Sequence, residues 1–207
     1  IRFDRICGEQ SRLMKGTLEF VIESARAVLA SLAISHEVDT GFINAEQELK
    51  CMAENIYFEG RAEPMSGKVA IANVVMNRVM SDRHPNSICE VVHEGPHRES
   101  WKTRGKDVPE SDRKYFPIRN KCDFSWYCDG KKDIVWVSYM DGTVIEANMT
   151  AWRDSIHVAL FVMSGQIGDN TGGADHYYNY NISNPYWVGA MNETAIIGNH
   201  RFMKERR

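Results

Sequence analysis

At 207 residues the chain is long enough for one medium domain, or a domain with an added segment, and needs no metal or disulfide to bury a core. Its 43% hydrophobic and 26% charged content is that of a globular protein, and a formal net charge of −3 offers no basic field for nucleic acid. The most apolar stretch, 18–34, is broken by Glu19, Glu23 and Arg26. It falls short of the roughly 20 uninterrupted apolar residues of a membrane span, and it lacks the unbroken core and cleavage site of a secretory signal. No membrane insertion is expected, and something else must deliver the chain to any target outside the cell.

Residues 1–16 read as a lead-in without periodicity. From Thr17, a plausible N-cap, Leu18, Val21, Ile22, Ala25, Val28, Leu29, Leu32 and Ala33 follow the spacing of an amphipathic helix. A hinge-like stretch around 36–44 ends this N-terminal part. A second helix is predicted from about Ala45 through Leu49, Met52, Ala53 and Ile56 to Phe58 or Glu59, with Gly60 stopping it in a left-handed conformation. Pro64 suits the first turn of a third helix patterned by Val69, Ala70, Ala72, Val75, Met76 and Val79. Residues 93–121, rich in charge, Pro and Gly, read as a surface insertion. Residues 133–139 look strand-like. A further helix is predicted over 150–164, stopping at Gly165, and the Gly-, Asn- and Tyr-rich tail from Asp169 reads mostly as loop.

Five cysteines, Cys7, Cys51, Cys89, Cys122 and Cys128, cannot all pair within one chain. Cys51 lies among apolar residues, where a thiol packs as a small core group. Cys89, Cys122 and Cys128 are spaced too widely for a zinc knuckle, so reduced structural thiols and a reducing compartment are the expectation. No metal and no cofactor are expected.

Glu59 is the candidate for proton-transfer chemistry, with a solvated charge at a helix end as the alternative that spacing alone favours. A carboxyl in the last turn of an apolar helix is partly buried and feels the negative end of the helix dipole, and both effects raise its pKa. A neutral carboxylic acid is what protonating a glycosidic oxygen requires. Glu63, four residues on, would share a helix face with Glu59 if the helix continued, in the manner of the carboxylate pair of retaining glycosidases. Gly60 and Pro64 argue against continuity and favour an N-terminal charge or cap at Glu63. Arg61 is an ion-pair partner for either acid or a surface charge.

The run from Met52 through Ala53-Glu54-Asn55-Ile56-Tyr57-Phe58-Glu59-Gly60-Arg61-Ala62-Glu63-Pro64 and Gly67-Lys68-Val69 to Asn77-Arg78-Val79 resembles the SleB-type cell wall hydrolases. That family includes spore-cortex-lytic enzymes and bacteriophage endolysins. Further matches follow in order: His84-Pro85-Asn86-Ser87-Ile88-Cys89, Cys122-Asp123-Phe124-Ser125-Trp126-Tyr127-Cys128, Gly173-Ala174-Asp175-His176-Tyr177-Tyr178, Asn184-Pro185-Tyr186-Trp187 and Gly198-Asn199-His200-Arg201-Phe202. The resemblance covers about residues 50–207. Where the family usually reads Glu-Ala-Arg-Gly-Glu, this chain has Glu59-Gly60-Arg61-Ala62-Glu63.

The resemblance implies a mainly α, lysozyme-like or lytic-transglycosylase-like domain with long loops and at most a small β element. Residues 1–44 would precede a catalytic domain over 45–207. It implies cleavage between N-acetylmuramic acid and N-acetylglucosamine, with Glu59 as acid and then base and Glu63 as support. Ser125, Trp126, His176, Tyr177 and Tyr178 would border the cleft, with Tyr177 or Tyr178 available to bond near Glu59. An aromatic face stacks on sugar and a hydroxyl holds an acetamido group. A monomer acting on peptidoglycan glycan strands is expected. In a phage setting it would be made in the host cytoplasm and released by a holin. Two other functions compete: a zinc amidase or peptidase using His157, His176, His200 or the cysteines, and a non-catalytic wall-binding component.

Overall fold

A computed structural model describes residues 38–135 and 146–206, with side chains from Asn44 in the first stretch and from Asn148 in the second. The expected N-terminal helix from Thr17, the residues 136–139 of the strand-like stretch, and Cys7 lie outside the described residues. The chain divides into two compact units, residues 1–48 and Leu49–Arg207. The described part of the first is the start of helix α1, Val38–Gly60.

Within the second unit, Leu49, Met52, Ala53, Ile56 and Tyr57 of α1 are buried. This is the i, i+3, i+4 stripe of a core-facing helix. Helix α2, Met65–Val79, has Val69, Ala70, Ile71, Ala72, Val74 and Val75 buried, a core run with only Asn73 among it. Each full-sized aliphatic side chain in that run contributes about 1.5–3 kcal/mol. Pro64 is the residue before this helix, at φ −62°, and its side chain makes no cap bond. Helix α3, Ile88–Val92, is capped by Ser87, whose Oγ accepts from the Glu90 N–H. Helix α4, Glu146–Met163, packs along α2. Gly165 follows it at φ +72°, the left-handed position expected there.

The insertion is shorter on irregular structure than its composition suggests. Strands β1, His97–Glu99, and β2, Tyr115–Pro117, pair antiparallel inside it. The tail corrects the expectation of loop more strongly. Strands β3, His176–Asn179, β4, Met191–Ile197, and β5, His200–Glu205, form an antiparallel sheet in the order β3-β5-β4. Gly198 and Asn199 make a two-residue hairpin loop between β4 and β5, with Gly198 at φ +59°. Phe202 of β5 packs with Ala70, Val74 and Ala174, and Tyr177, Ala195 and Ile197 rest against them. That face of the sheet therefore lies on α2. The described unit is mainly helical with short strands.

The cysteines correct a second expectation. Cys51 is joined to Cys89, tying α1 to α3, and Cys122 is joined to Cys128 across the loop between them. They are disulfides, not reduced thiols or a metal knuckle.

Candidate active site

Glu59 is the penultimate residue of α1, half-buried, and its Oε2 accepts a hydrogen bond from the Tyr177 hydroxyl at 3.1 Å. Burial raises the Glu59 pKa above the ordinary carboxylate range, while the Tyr177 bond and the Arg78 cation pull it back down. Tyr177 is pushed well above the usual phenol range by burial and by the Glu59 charge, so it remains an O–H donor. Gly60 does end the helix, but it is not left-handed, being absent from the positive-φ positions. Its missing side chain serves close packing: a Cβ there would meet the Ile71 Cδ1 of α2 at 2.7 Å. The exchange of Ala and Gly around Arg61 thus has a steric reason in this chain.

Glu63 has a different task. It is buried, and its carboxylate takes two hydrogen bonds from Asn199, the backbone N–H at 3.0 Å and Nδ2 at 2.9 Å. It does not cap α2. A side chain at residue 198 would overlap Glu63 Oε2, so the glycine both permits the hairpin turn and leaves room for the carboxylate. His200 Nδ1 stands 3.7 Å from Glu63 Oε1, beyond hydrogen-bonding reach. Arg61 is exposed and lies over the Tyr57 ring at 5.6 Å, paired with neither acid.

Strand β3 separates the three residues expected beside the cleft. Side chains alternate along a strand, so Tyr177 faces α2 and Glu59 while His176 and Tyr178 face the opposite side. On that side Trp187 packs against both, at 5.4 Å from the His176 ring and 5.7 Å from that of Tyr178. His176 Nδ1 is bonded to Asp175 Oδ1 at 2.9 Å. Of the three, Tyr177 alone reaches the acid; the choice left open between Tyr177 and Tyr178 resolves to the former.

The disulfide-closed loop supplies the wall behind this pair. Trp126 is buried, stacked on Phe58 at 4.6 Å, and its Nε1 donates to Asn55 Oδ1 at 2.9 Å. It packs one turn behind Glu59 as part of the core. Ser125 is exposed at the start of the short 3-10 turn Ser125–Cys128. Phe124 is buried 6.4 Å from the Tyr177 ring, and the Arg78 guanidinium lies over it at 5.0 Å.

Arg78 was not singled out by sequence reasoning, nor was Asn199. The signal for the first was available: a cation four residues after Val74, on the face of α2 that the apolar run marks as buried. The group His84, Glu94 and Asp123 was also missed. Their ligand-type atoms lie within 4.8 Å of one another, but His84 Nδ1 is bonded to Glu94 at 2.9 Å and Asp123 to Arg78 at 3.1 Å. The adjacent guanidinium opposes a dication there. A hollow of about 600 Å³ bounded by Val79, Asp82, His84, Pro85 and Glu90 lies at the far end of α2 and excludes Glu59. Among the described residues the ligands invoked for a zinc amidase form no cluster: four cysteines are in disulfides, His157 is exposed on α4, His176 is held by Asp175, and His200 lies beside Glu63.

The geometry is that of one half-buried carboxyl held by a phenol donor, and a second, buried carboxylate bound to the hairpin between β4 and β5. A family model described as Cell Wall Hydrolase matches residues 62–203, more than half of the chain, beginning three residues after Glu59. A spore cortex-lytic enzyme of Halalkalibacterium halodurans is 22% identical over 173 residues, which cover 84% of this chain and 39% of that protein. One from Bacillus cereus is 26% identical over 160 residues, covering 77% and 45%. The chain thus spans less than half the length of these relatives. The catalytic domain of a germination-specific lytic transglycosylase from Bacillus anthracis is 27% identical, with a TM-score of 0.44 over 76% of this chain and 93% of that one.

Proposed function

Because the chain belongs to the cell wall hydrolase family, we propose that it cleaves peptidoglycan glycan strands between N-acetylmuramic acid and N-acetylglucosamine, with Glu59 as the proton-transferring group. The observation that carries this reading is the Tyr177–Glu59 hydrogen bond on a carboxyl whose pKa burial has raised. Protonated Glu59 gives its proton to the glycosidic oxygen as the C1–O bond breaks. The carboxylate left behind is stabilised by the Tyr177 hydroxyl. It then takes the proton of the muramic acid 6-hydroxyl as that oxygen closes on C1, leaving a 1,6-anhydro end. No second protein carboxylate is needed, which suits the commitment of Glu63 to Asn199. Exposed Ser125 is the member of its loop available to an acetamido group.

In the endolysin version of this proposal the chain acts as a monomer and reaches the wall through a holin-type lesion. Its disulfides fit a working location outside a reducing cytoplasm. Among the described residues no helix is long and apolar enough to cross a membrane.

Purified peptidoglycan incubated with the chain should release muropeptides lacking one water relative to reducing ends, and Glu59→Gln should release none. Full activity in Glu59→Gln, or new amino termini in place of new glycan ends, would overturn the proposal.

A further inference from the structure

Arg78 is a charge in an expensive place. It is buried on α2, and an aliphatic residue could fill the same position without taking a guanidinium out of water. Its partners fix it from two sides: Nε donates to the Asp175 carbonyl at 2.7 Å and Nη1 to Asp123 Oδ2 at 3.1 Å. The Asp123 side chain is 39% exposed, so water screens that counter-charge and the pair is only partly neutralised. The guanidinium lies over one ring, Phe124, whose neighbour is Tyr177, whose hydroxyl holds Glu59.

Resting on the function proposed above, we infer that Arg78 is a positioning residue whose fixed positive charge behind Tyr177 stabilises the Glu59 carboxylate formed after proton donation. Its field reaches both acids, lowering the pKa of Glu59 and of Tyr177 against burial. Without it, burial alone would favour the neutral acid, and the carboxylate needed to collect the second proton would form less readily. The other charged groups in this region are already committed. Lys68 on α2 is bound to Asp154 of α4, and Arg83 and His176 to the Asp175 carboxylate. His200 touches the edge of Tyr177 at 5.2 Å, and burial lowers its pKa, which leaves it neutral above the ordinary histidine range. Glu63 is held by Asn199.

The test follows the Glu59 side-chain carbonyl by carbon-13 NMR in the full chain, as wild type and as Arg78→Met, Arg78→Lys and Asp123→Asn. Arg78→Met should move the Glu59 titration up by about one pH unit, and Arg78→Lys should return it most of the way. Asp123→Asn, which removes the screening counter-charge, should move it down. On peptidoglycan, kcat should fall more than KM rises in Arg78→Met, with the alkaline limb displaced upward. An unmoved titration in folded Arg78→Met, or Arg78→Lys behaving like Met, would overturn the inference. Should Arg78→Met fail to fold, an unmoved titration in Asp123→Asn has the same force. The titration needs no substrate. A wild type that releases no glycan ends while the titrations shift as stated would sink the proposed function and leave the Arg78 coupling standing.

Discussion

Exchanging Glu63 for Gln separates architecture from chemistry, because the two carboxylates of the Glu59–Glu63 stretch have opposite surroundings. Glu63 is buried and accepts two hydrogen bonds, one of them from a backbone N–H. Gln keeps the shape but offers one oxygen in place of two, so one Asn199 donor then faces an amide NH2. A hydrogen bond to a charged group is worth about 1.5–3 kcal/mol, which sets the expected loss near 2 kcal/mol. Asn199 cannot simply turn its amide over to recover the bond, because its Oδ1 already accepts from Asn181 at 3.1 Å. For a chain of this length each kcal/mol moves the melting temperature by about 2–4 °C, so the midpoint should drop by about 4–8 °C. Thermal unfolding followed by circular dichroism measures this. Turnover of peptidoglycan well below the new midpoint should stay within a few-fold of wild type. An unchanged midpoint combined with a hundredfold loss of turnover would refute the assignment of Glu63 to the fold.

Removing the Tyr177 hydroxyl as Tyr177→Phe takes away a bond that favours ionised Glu59, so the Glu59 pKa rises further and the alkaline limb of kcat/KM moves up by about one pH unit. The stability sign follows: with its folded pKa above the unfolded one, Glu59 favours the fold below the unfolded value. That contribution is lost as pH rises through the folded value, and in Tyr177→Phe the loss extends to higher pH. A limb that stays in place or moves down contradicts the bond. The disulfides should differ in worth according to the chain they close. Cys51 and Cys89 are 38 residues apart and Cys122 and Cys128 only 6, so replacing the first pair by Ala should cost about 4 kcal/mol and the second about 2 in urea unfolding. An equal or absent effect would count against closed bridges.

What the sequence made legible was whatever repeats with the period of a helix. The stripes of α1 and α2 and the stop at Gly165 could be read because burial on one side imposes i, i+3, i+4 spacing directly on residue type. The sheet could not. Only one of its faces packs on α2, and that face takes Tyr177 and Phe202 from strands whose other members are mostly polar, as in His200-Arg201-Phe202-Met203-Lys204-Glu205. In β4 a register shift between Glu193 and Ala195 breaks the alternation altogether. Missing the strand also left Tyr177 and Tyr178 undecided, since the period of two is what sends one to Glu59 and the other to Trp187. The disulfide between Cys51 and Cys89 and the bond from Asn199 to Glu63 connect residues far apart in the chain, and no local pattern marks such partners. Glu59 stood out through the family resemblance of its stretch, since an acid at the end of an apolar helix is by itself more often a solvated residue. Its properties come from the neighbours that three-dimensional packing supplies: a phenol from β3 and a buried cation from α2. A single carboxyl can serve as acid and then base only if its two protonation states are close in energy. Here burial favours one state, while Tyr177 and Arg78 favour the other.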